Sequence, residues 1–431
     1  MNKTFIKSTF ILLVGGIITK VLGMLIKIVM GRFVGAEGLG LYMMILPTFS
    51  LFISLGQVGM PTALIKLVST KKYNNKRLLF SVFTFTLIIN LFLMLIIIFG
   101  SKFIAVNLLK NINTYYGLLS IGLVIPFTTI SSICRSYFFG KEMVFPHIIS
   151  NIIEDVVRLI LIFLGRDFYK KSLSFIVSYL ILINVISEVV SILVLLFFLP
   201  KKISLTRSDF IFDKNYFHDS LSIGIPNTLS RLISSIGYFL EPIILINMLS
   251  FNGYSNTYIT YNYGVLSGFV MPIVLLPSFF TSALSQALFP IISRDYSNKN
   301  YSGIKKKMVT GISLSFGMGF ILSLFIFIFA RYLLFFLYGT YEGLSFIRFL
   351  LVICLLQYIQ SPLNICLDAT NRSKYVLFGS IIGVICRTLG LVIFSFFKIG
   401  IWSLILSISL NVVVTTIYLL KNIISSQSLH N

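Results

Sequence analysis

The chain has 431 residues, of which 57% are hydrophobic and 11% charged, with a net charge of +22. Soluble domains run at about 45–50% apolar and about 25% charged, so the aqueous globular classes are excluded, and 42 Phe and 21 Tyr exclude a disordered chain. The composition is that of a polytopic membrane protein. Its basic residues sit between apolar runs rather than in a separate basic domain, which argues against nucleic acid as a partner.

Apolar segments able to cross about 30 Å of hydrocarbon recur along the whole chain. In chain order the predicted spans are 8–31, 40–66, 78–100, 117–138, 146–165 and 173–199, then 220–246, 263–289, 308–336, 345–369, 376–397 and 400–420. Without water to satisfy the backbone, each is expected to be a helix. The fold class is therefore all-α: about twelve transmembrane helices in two parallel six-helix bundles. The expected lobes are 1–199 and 220–431, joined by a cytoplasmic linker over 200–219, the longest polar connection. The first apolar run is too long for a cleavable signal and lacks a small-residue cleavage site.

Orientation follows from loop charge. Basic clusters such as Lys66, Lys71, Lys72, Lys76, Arg77 and Arg294, Lys299, Lys305, Lys306, Lys307 alternate with poorly charged loops, and 247–262 carries no charge. Both termini are expected to be cytoplasmic, in the cell membrane. An internal repeat divides the chain. Leu46-Pro47-Thr48-Phe49 recurs as Leu276-Pro277-Ser278-Phe279, and Gln57 with Pro61 recurs as Gln286 with Pro290. Pro126 with Pro362, and Arg158 with Arg387, add weaker matches in the same order. With six spans per copy, the copies point the same way, as in transporters built from parallel repeats. Prolines 47, 126, 226, 272, 277 and 362 fall within spans and predict bends. Gly15, Gly16 and Gly23 predict close helix packing in the first span.

Ionisable groups at membrane depth mark functional pathways by default. The first span carries Lys20 and Lys27 on one face and no acid. The seventh presents a polar stripe of Asn227, Arg231, Ser234, Ser235 and Tyr238, continued by Glu241 and Pro242. The fifth holds Asn151, Glu154, Asp155 and Arg158, with Glu154 and Arg158 at i,i+4 in the favourable order. Glu188 and Arg387 stand alone in their spans, and Asp368 near Arg372 reads as a surface salt bridge. Lys20, Lys27 and Arg231, with Asn227 and Tyr238, are expected to line a central cationic cavity. Such a cavity favours an anion, phosphate or pyrophosphate above all, because Arg engages it bidentately and Lys as a point charge. Glu154, Asp155, Arg158, Glu241 and Arg387 are the candidate coupling or charge network, serving H+ or Na+; the coupling ion stays open, and so does the membrane potential as the driving force.

At these residues the sequence is similar to a known family. Thr19-Lys20-Val21-Leu22-Gly23, then Gly31-Arg32-Phe33-Val34-Gly35-Ala36-Glu37-Gly38-Leu39-Gly40-Leu41-Tyr42 and Gly56-Gln57-Val58-Gly59-Met60-Pro61-Thr62-Ala63-Leu64-Ile65-Lys66, resemble the stage V sporulation protein B family. That family belongs to the multidrug/oligosaccharidyl-lipid/polysaccharide (MOP) exporter superfamily. The related lipid II flippases share a Ser-Arg-Val-Leu-Gly segment in the first helix, and Lys20 occupies the position of its functional arginine. The resemblance implies a MATE/MOP-like fold and a flippase that moves an undecaprenyl-(pyro)phosphate-linked oligosaccharide from the inner to the outer leaflet by alternating access. Its partners are membrane lipid and that polyprenyl-linked substrate, and the protein is expected to be a monomer. Twelve spans, rather than the fourteen usual in sporulation-type and lipid II flippases, match the polysaccharide-repeat flippases of the superfamily.

Two other classes compete. A cation-coupled multidrug exporter of the same fold would want an acid in the first or seventh span; Glu241 supplies one, but Lys20 and Lys27 repel cationic cargo. A membrane-embedded glycosyl transferase or polymerase would want carboxylates or histidines clustered on one membrane face, whereas Glu37, Asp167 and Glu342 lie in different loops. A transporter, not an enzyme, is expected. Cys134, Cys354, Cys366 and Cys386 form no CxxC pair, so neither a metal nor another cofactor is predicted, and no P-loop points to ATP.

Overall fold

The computed structural model describes residues 3–70, 73–199 and 214–427 and contains no strand among them. The expected linker therefore falls largely on residues 200–213, outside the described residues. Fourteen α-helices follow one another: α1 (Lys3–Gln57), α2 (Met60–Ser69), α3 (Asn75–Phe103), α4 (Tyr115–Gly140), α5 (Val144–Leu164), α6 (Leu173–Phe197), α7 (Lys214–Phe251), α8 (Asn256–Gly264), α9 (Met271–Val274), α10 (Leu276–Ser297), α11 (Tyr301–Tyr338), α12 (Leu344–Ala369), α13 (Ser373–Ser395) and α14 (Trp402–Gln427). The chain divides into two compact units, residues 1–239 and 240–431.

Ten described segments are long and apolar enough to cross a membrane, against the twelve spans expected. Two physical causes account for the difference. The stretch Val14–Gln57 is one of the ten, yet it is two helices that meet at Gly35 (φ 73°, ψ 179°), between the spans expected at 8–31 and 40–66. That backbone conformation suits glycine alone. The second cause is α5, a largely apolar helix set apart from the ten by its three charged residues, Glu154, Asp155 and Arg158.

The helices wear their apolar residues outward. Along α3, Phe92 is 64% and Phe99 81% exposed; along α11, Ile321 is 67% and Phe336 74% exposed. Water would not tolerate such faces, but lipid tails are as apolar as the side chains. Small residues turn inward instead. Gly311, Ser315, Gly319 and Ser323 form one buried stripe of α11, and a Cβ on Gly319 would lie 2.5 Å from the Tyr358 ring of α12. Of the three glycines predicted to pack closely in the first span, only Gly15 does so, a Cβ there lying 2.3 Å from Ile148 of α5; Gly16 and Gly23 have open space.

The predicted bends are selective. Pro47, Pro126 and Pro362 lie inside helices that run on through them. Pro226 falls where the side chain is not described. Pro272 and Pro277, in contrast, sit in a true break, where α8 passes through a π-helical turn (Val265–Val270) into the four-residue α9 and then α10. Pro272 has no N–H to return to Gly268, and the amide of Ser278 turns to Leu275 instead of Val274. Two buried tyrosines supply the missing donors: Tyr338 Oη donates to the Gly268 carbonyl at 3.2 Å, and Tyr358 Oη to the Val274 carbonyl at 2.8 Å. Lipid offers no substitute for these bonds. Tyr358→Phe should therefore lower the unfolding free energy by about 1–3 kcal/mol, read as a fall in thermal midpoint in detergent. An unchanged midpoint would mean the carbonyl is satisfied elsewhere.

The two sequence repeats fold differently at their signatures. In the first copy, the helix ends at Gln57 and Pro61 opens α2 after a turn. In the second copy, the break precedes Pro277, and Pro290 lies within α10.

Candidate functional site

Three charged arrangements stand out, two in residues 1–239 and one in residues 240–431. The first grows from the turn between α1 and α2. Val58 (φ 45°) and Gly59 (φ 61°) take left-handed backbone there and break the helix. The first half of α7 lies directly against this turn: a Cβ on Gly59 would be 2.1 Å from the Gly224 carbonyl oxygen. From that contact a stripe of α7 at helical spacing, Gly224, Thr228, Arg231 and Ser235, faces the end of α1. Arg231 Nη1 donates to Gln57 Oε1 at 3.3 Å, and Ser235 Oγ and Ser54 Oγ share a hydrogen bond of 2.9 Å.

Arg231 is exposed and its hydrogen-bond partner is a neutral amide, so its full charge is presented outward. Lys27 is half-buried on α1 and pairs with no described residue, whereas Lys20 is more exposed. Tyr238 is 38% exposed, and the side chain of Asn227 lies outside the described residues. The structure thus ties Arg231 to the end of α1 through Gln57. No contact joins Lys27 to Arg231.

The second arrangement is a buried ionic cluster among α4, α5 and α6. Arg135 of α4 uses one nitrogen, Nη2, to reach the Glu154 carboxylate of α5, Glu188 Oε2 of α6 at 2.9 Å and Ser191 Oγ at 2.8 Å. Arg158 holds the other oxygen of Glu154 at 2.5 Å and Asp155 Oδ1 at 3.2 Å. Glu154 is 7% and Glu188 4% exposed. The Glu154–Arg158 contact is the i,i+4 pair legible in sequence. Glu188 does not stand alone, because Arg135 engages it. Arg135 itself carries no local signal: its partners are 19 and 53 residues away, and only helix packing unites them. The cluster holds three carboxylates and two guanidiniums.

The third arrangement is a pair. Glu241 of α7, 6% exposed, is bound by the Arg387 guanidinium of α13 and accepts a hydrogen bond from Tyr263 Oη at 3.3 Å. Arg387, isolated in the sequence, thus has its counter-ion on another helix, and the pair is neutral as a whole. Asp368 and Arg372, expected to pair, form no salt bridge. The turn after α12 instead brings the Arg372 amide to the Leu367 carbonyl at 2.8 Å and the Asn371 amide to the Asp368 carbonyl at 3.2 Å. Among the described residues, no cluster of His, Cys, Asp and Glu could hold a metal ion, and the four cysteines are unbridged.

Comparison with known proteins places this geometry. Residues 5–295 match the family model described as "Polysaccharide biosynthesis protein", and residues 265–393 match the MatE family model. The chain is 33% identical over 398 residues to stage V sporulation protein B of Bacillus subtilis, covering 90% of this chain and 77% of that protein. Among solved structures, an inward-facing multidrug resistance MATE family transporter of the MOP superfamily superposes with a TM-score of 0.72 at 18% identity, covering 95% of both chains. The lipid II flippase MurJ, in an inward closed conformation, superposes with a TM-score of 0.70 at 18% identity, covering 95% of this chain and 86% of that one. At such identities these superpositions establish the fold: a multi-pass membrane protein built like the MATE and MurJ exporters. With a family model spanning well over half its length and a relative at one-third identity, this chain belongs to the polysaccharide biosynthesis protein family.

Proposed function

We propose that the protein is a flippase for a polyprenyl-(pyro)phosphate-linked saccharide, carrying the anionic head group from the inner to the outer leaflet of the cell membrane by alternating access, with both termini cytoplasmic. One observation carries this reading. The buried acids of α5 and α6 are engaged by Arg135 and Arg158, while Lys27 and Arg231 have no carboxylate partner among the described residues. Cations left uncompensated at membrane depth are costly unless a mobile anion meets them. A pyrophosphate supplies that anion, and the lipid-exposed exterior lets the polyprenyl tail remain outside while the head group crosses. Family membership and the similarity to lipid II flippase MurJ support the lipid-linked cargo. A cation-coupled drug exporter fits less well, because Glu241, the buried acid in the second half of α7, already holds Arg387.

The ionic cluster of α4–α6 is the proposed coupling element. Its one carboxylate in excess can be neutralised by H+ or Na+, whereas the Glu241–Arg387 pair has no such excess. Without an ion, the membrane potential itself contributes about 2.3 kcal/mol per charge moved across 100 mV. In proteoliposomes, wild type should translocate an undecaprenyl-pyrophosphate saccharide with a rate that depends on external pH or Na+. Asp155→Asn removes the excess charge, so the variant should keep its fold while that dependence flattens by roughly a factor of ten. An unaltered pH and Na+ dependence would remove the cluster from the coupling step, and no translocation by wild type would defeat the flippase reading.

A further inference from the structure

We propose that residues 240–431 carry a separate binding site for the phosphate head group of an anionic membrane phospholipid, at the end of the bundle where α10 turns into α11 and α12 into α13. A cavity of about 590 Å³ opens there. Two turns of the same geometry frame it. In the first, Lys299 takes φ 57° and the Asn300 amide returns to the Asp295 carbonyl at 2.9 Å; in the second, Asn371 takes φ 58° and the Arg372 amide returns to Leu367. These six-residue closures end a helix with left-handed backbone and set Lys299 and Arg372 on the cavity wall.

The lining separates by chemistry. Lys299, Lys305 and Arg372 supply three cations, and the lining contains no carboxylate. The nearby Asp295 is buried and committed to Lys307 at 2.5 Å, so it does not neutralise them. Beneath lie Ile304, Met308, Cys366 and Leu367, all buried members of one apolar cluster. A cationic rim over an apolar floor, where α11 enters its apolar run, matches a molecule with a phosphate at one end and hydrocarbon at the other. Basic pockets between transmembrane helices at the membrane surface hold anionic head groups by this means. The site shares no residue with Lys20, Lys27, Arg231 or the coupling cluster, so it does not depend on what the protein transports.

The shared chemistry is a phosphate, and two sources could provide it: a phospholipid or a soluble phosphate. The test is a titration of the purified full-length protein in neutral detergent, followed by native mass spectrometry. The probes are dioleoyl-phosphatidylglycerol, dioleoyl-phosphatidylcholine and sn-glycerol 3-phosphate. Wild type should bind the first phosphatidylglycerol tightly and the other two at least ten-fold more weakly. Each cation near the surface is worth about a factor of five, so Lys299→Ala/Lys305→Ala/Arg372→Ala should weaken phosphatidylglycerol about 100-fold. Ser302→Trp, at the exposed mouth, keeps every cation and should weaken it at least ten-fold by filling the entrance. A variant of exposed lysines elsewhere, Lys170→Ala/Lys171→Ala, should bind like wild type. Full affinity in the triple variant, or equal binding of phosphatidylcholine, would overturn the site. Equal binding of glycerol 3-phosphate would overturn the lipid as its ligand.

Discussion

Arg135→Ala is expected to be one of the two most damaging single substitutions argued for residues 1–239. Its guanidinium is the only cation contacting Glu188 and one of two on Glu154 in the described cluster. Removing it raises the excess of carboxylates over guanidiniums from one to two, in a region where Glu154 and Glu188 are under 10% exposed. Breaking a buried ion pair from one side costs about 3–5 kcal/mol. For a unit of this size that is roughly 10 °C in thermal midpoint. The opposite truncation, Glu188→Gln, balances the cluster and should cost far less. Arg135→Leu combined with Glu154→Gln and Glu188→Gln should recover most of the loss, because a neutral replacement leaves no orphaned charge. Thermal unfolding of the four proteins in one detergent decides the matter. If Arg135→Ala and Glu188→Gln are equally mild, charge balance is not what holds α4, α5 and α6 together.

The second large effect is expected at Gly59. Its φ of 61° penalises any side chain by about 1–3 kcal/mol. A Cβ there would also meet the Gly224 carbonyl at 2.1 Å and Thr228 Oγ1 at 2.8 Å. The carbonyl belongs to helical backbone, so relief requires moving α7, and overpacking adds about 1–3 kcal/mol. Gly59→Ala should therefore lose roughly 2–6 kcal/mol and also displace Arg231, two turns further along the same stripe. Gly16→Ala is the informative contrast. It is a helical glycine with open space at its Cβ, and alanine there should stabilise by about 0.5–1 kcal/mol. Comparable midpoints for the two variants would contradict the close contact between the α1–α2 turn and α7.

The particular residues show where sequence reasoning reached and where it stopped. Hydropathy found the spans because lipid-facing side chains such as Phe99 and Ile321 must be apolar whatever their neighbours. The boundary between the first two spans rests on the backbone of Gly35, where the two helices of α1 meet. Local spacing found Glu154 with Arg158, an interaction within one helix. It could not find Arg135 with Glu188, or Arg387 with Glu241 across 146 residues, because those pairs exist only once helices pack. Prolines marked the break at Pro272 and Pro277, but Pro47, Pro126 and Pro362 gave the same signal without a break. What distinguishes them is the second half of the device, the tyrosines at 338 and 358 that satisfy the freed carbonyls. Of the candidate cation site, sequence singled out Arg231 and Lys27. It did not foresee Gln57 as the residue that steadies Arg231, although Gln57 belongs to the repeat signature.

The central claim is that Lys27 and Arg231, together with Lys20, bind an anionic head group. The most direct measurement titrates purified wild type and Lys20→Ala/Lys27→Ala/Arg231→Ala with an undecaprenyl-pyrophosphate saccharide and, separately, with ethidium. Charge-assisted contacts to phosphate are worth about 1.5–3 kcal/mol each, so the triple variant should bind the saccharide lipid at least 100-fold more weakly than wild type, and ethidium should bind neither protein well. Tight ethidium binding by wild type, retained or improved in the triple variant while the saccharide lipid fails to bind, would contradict the account and favour a drug exporter.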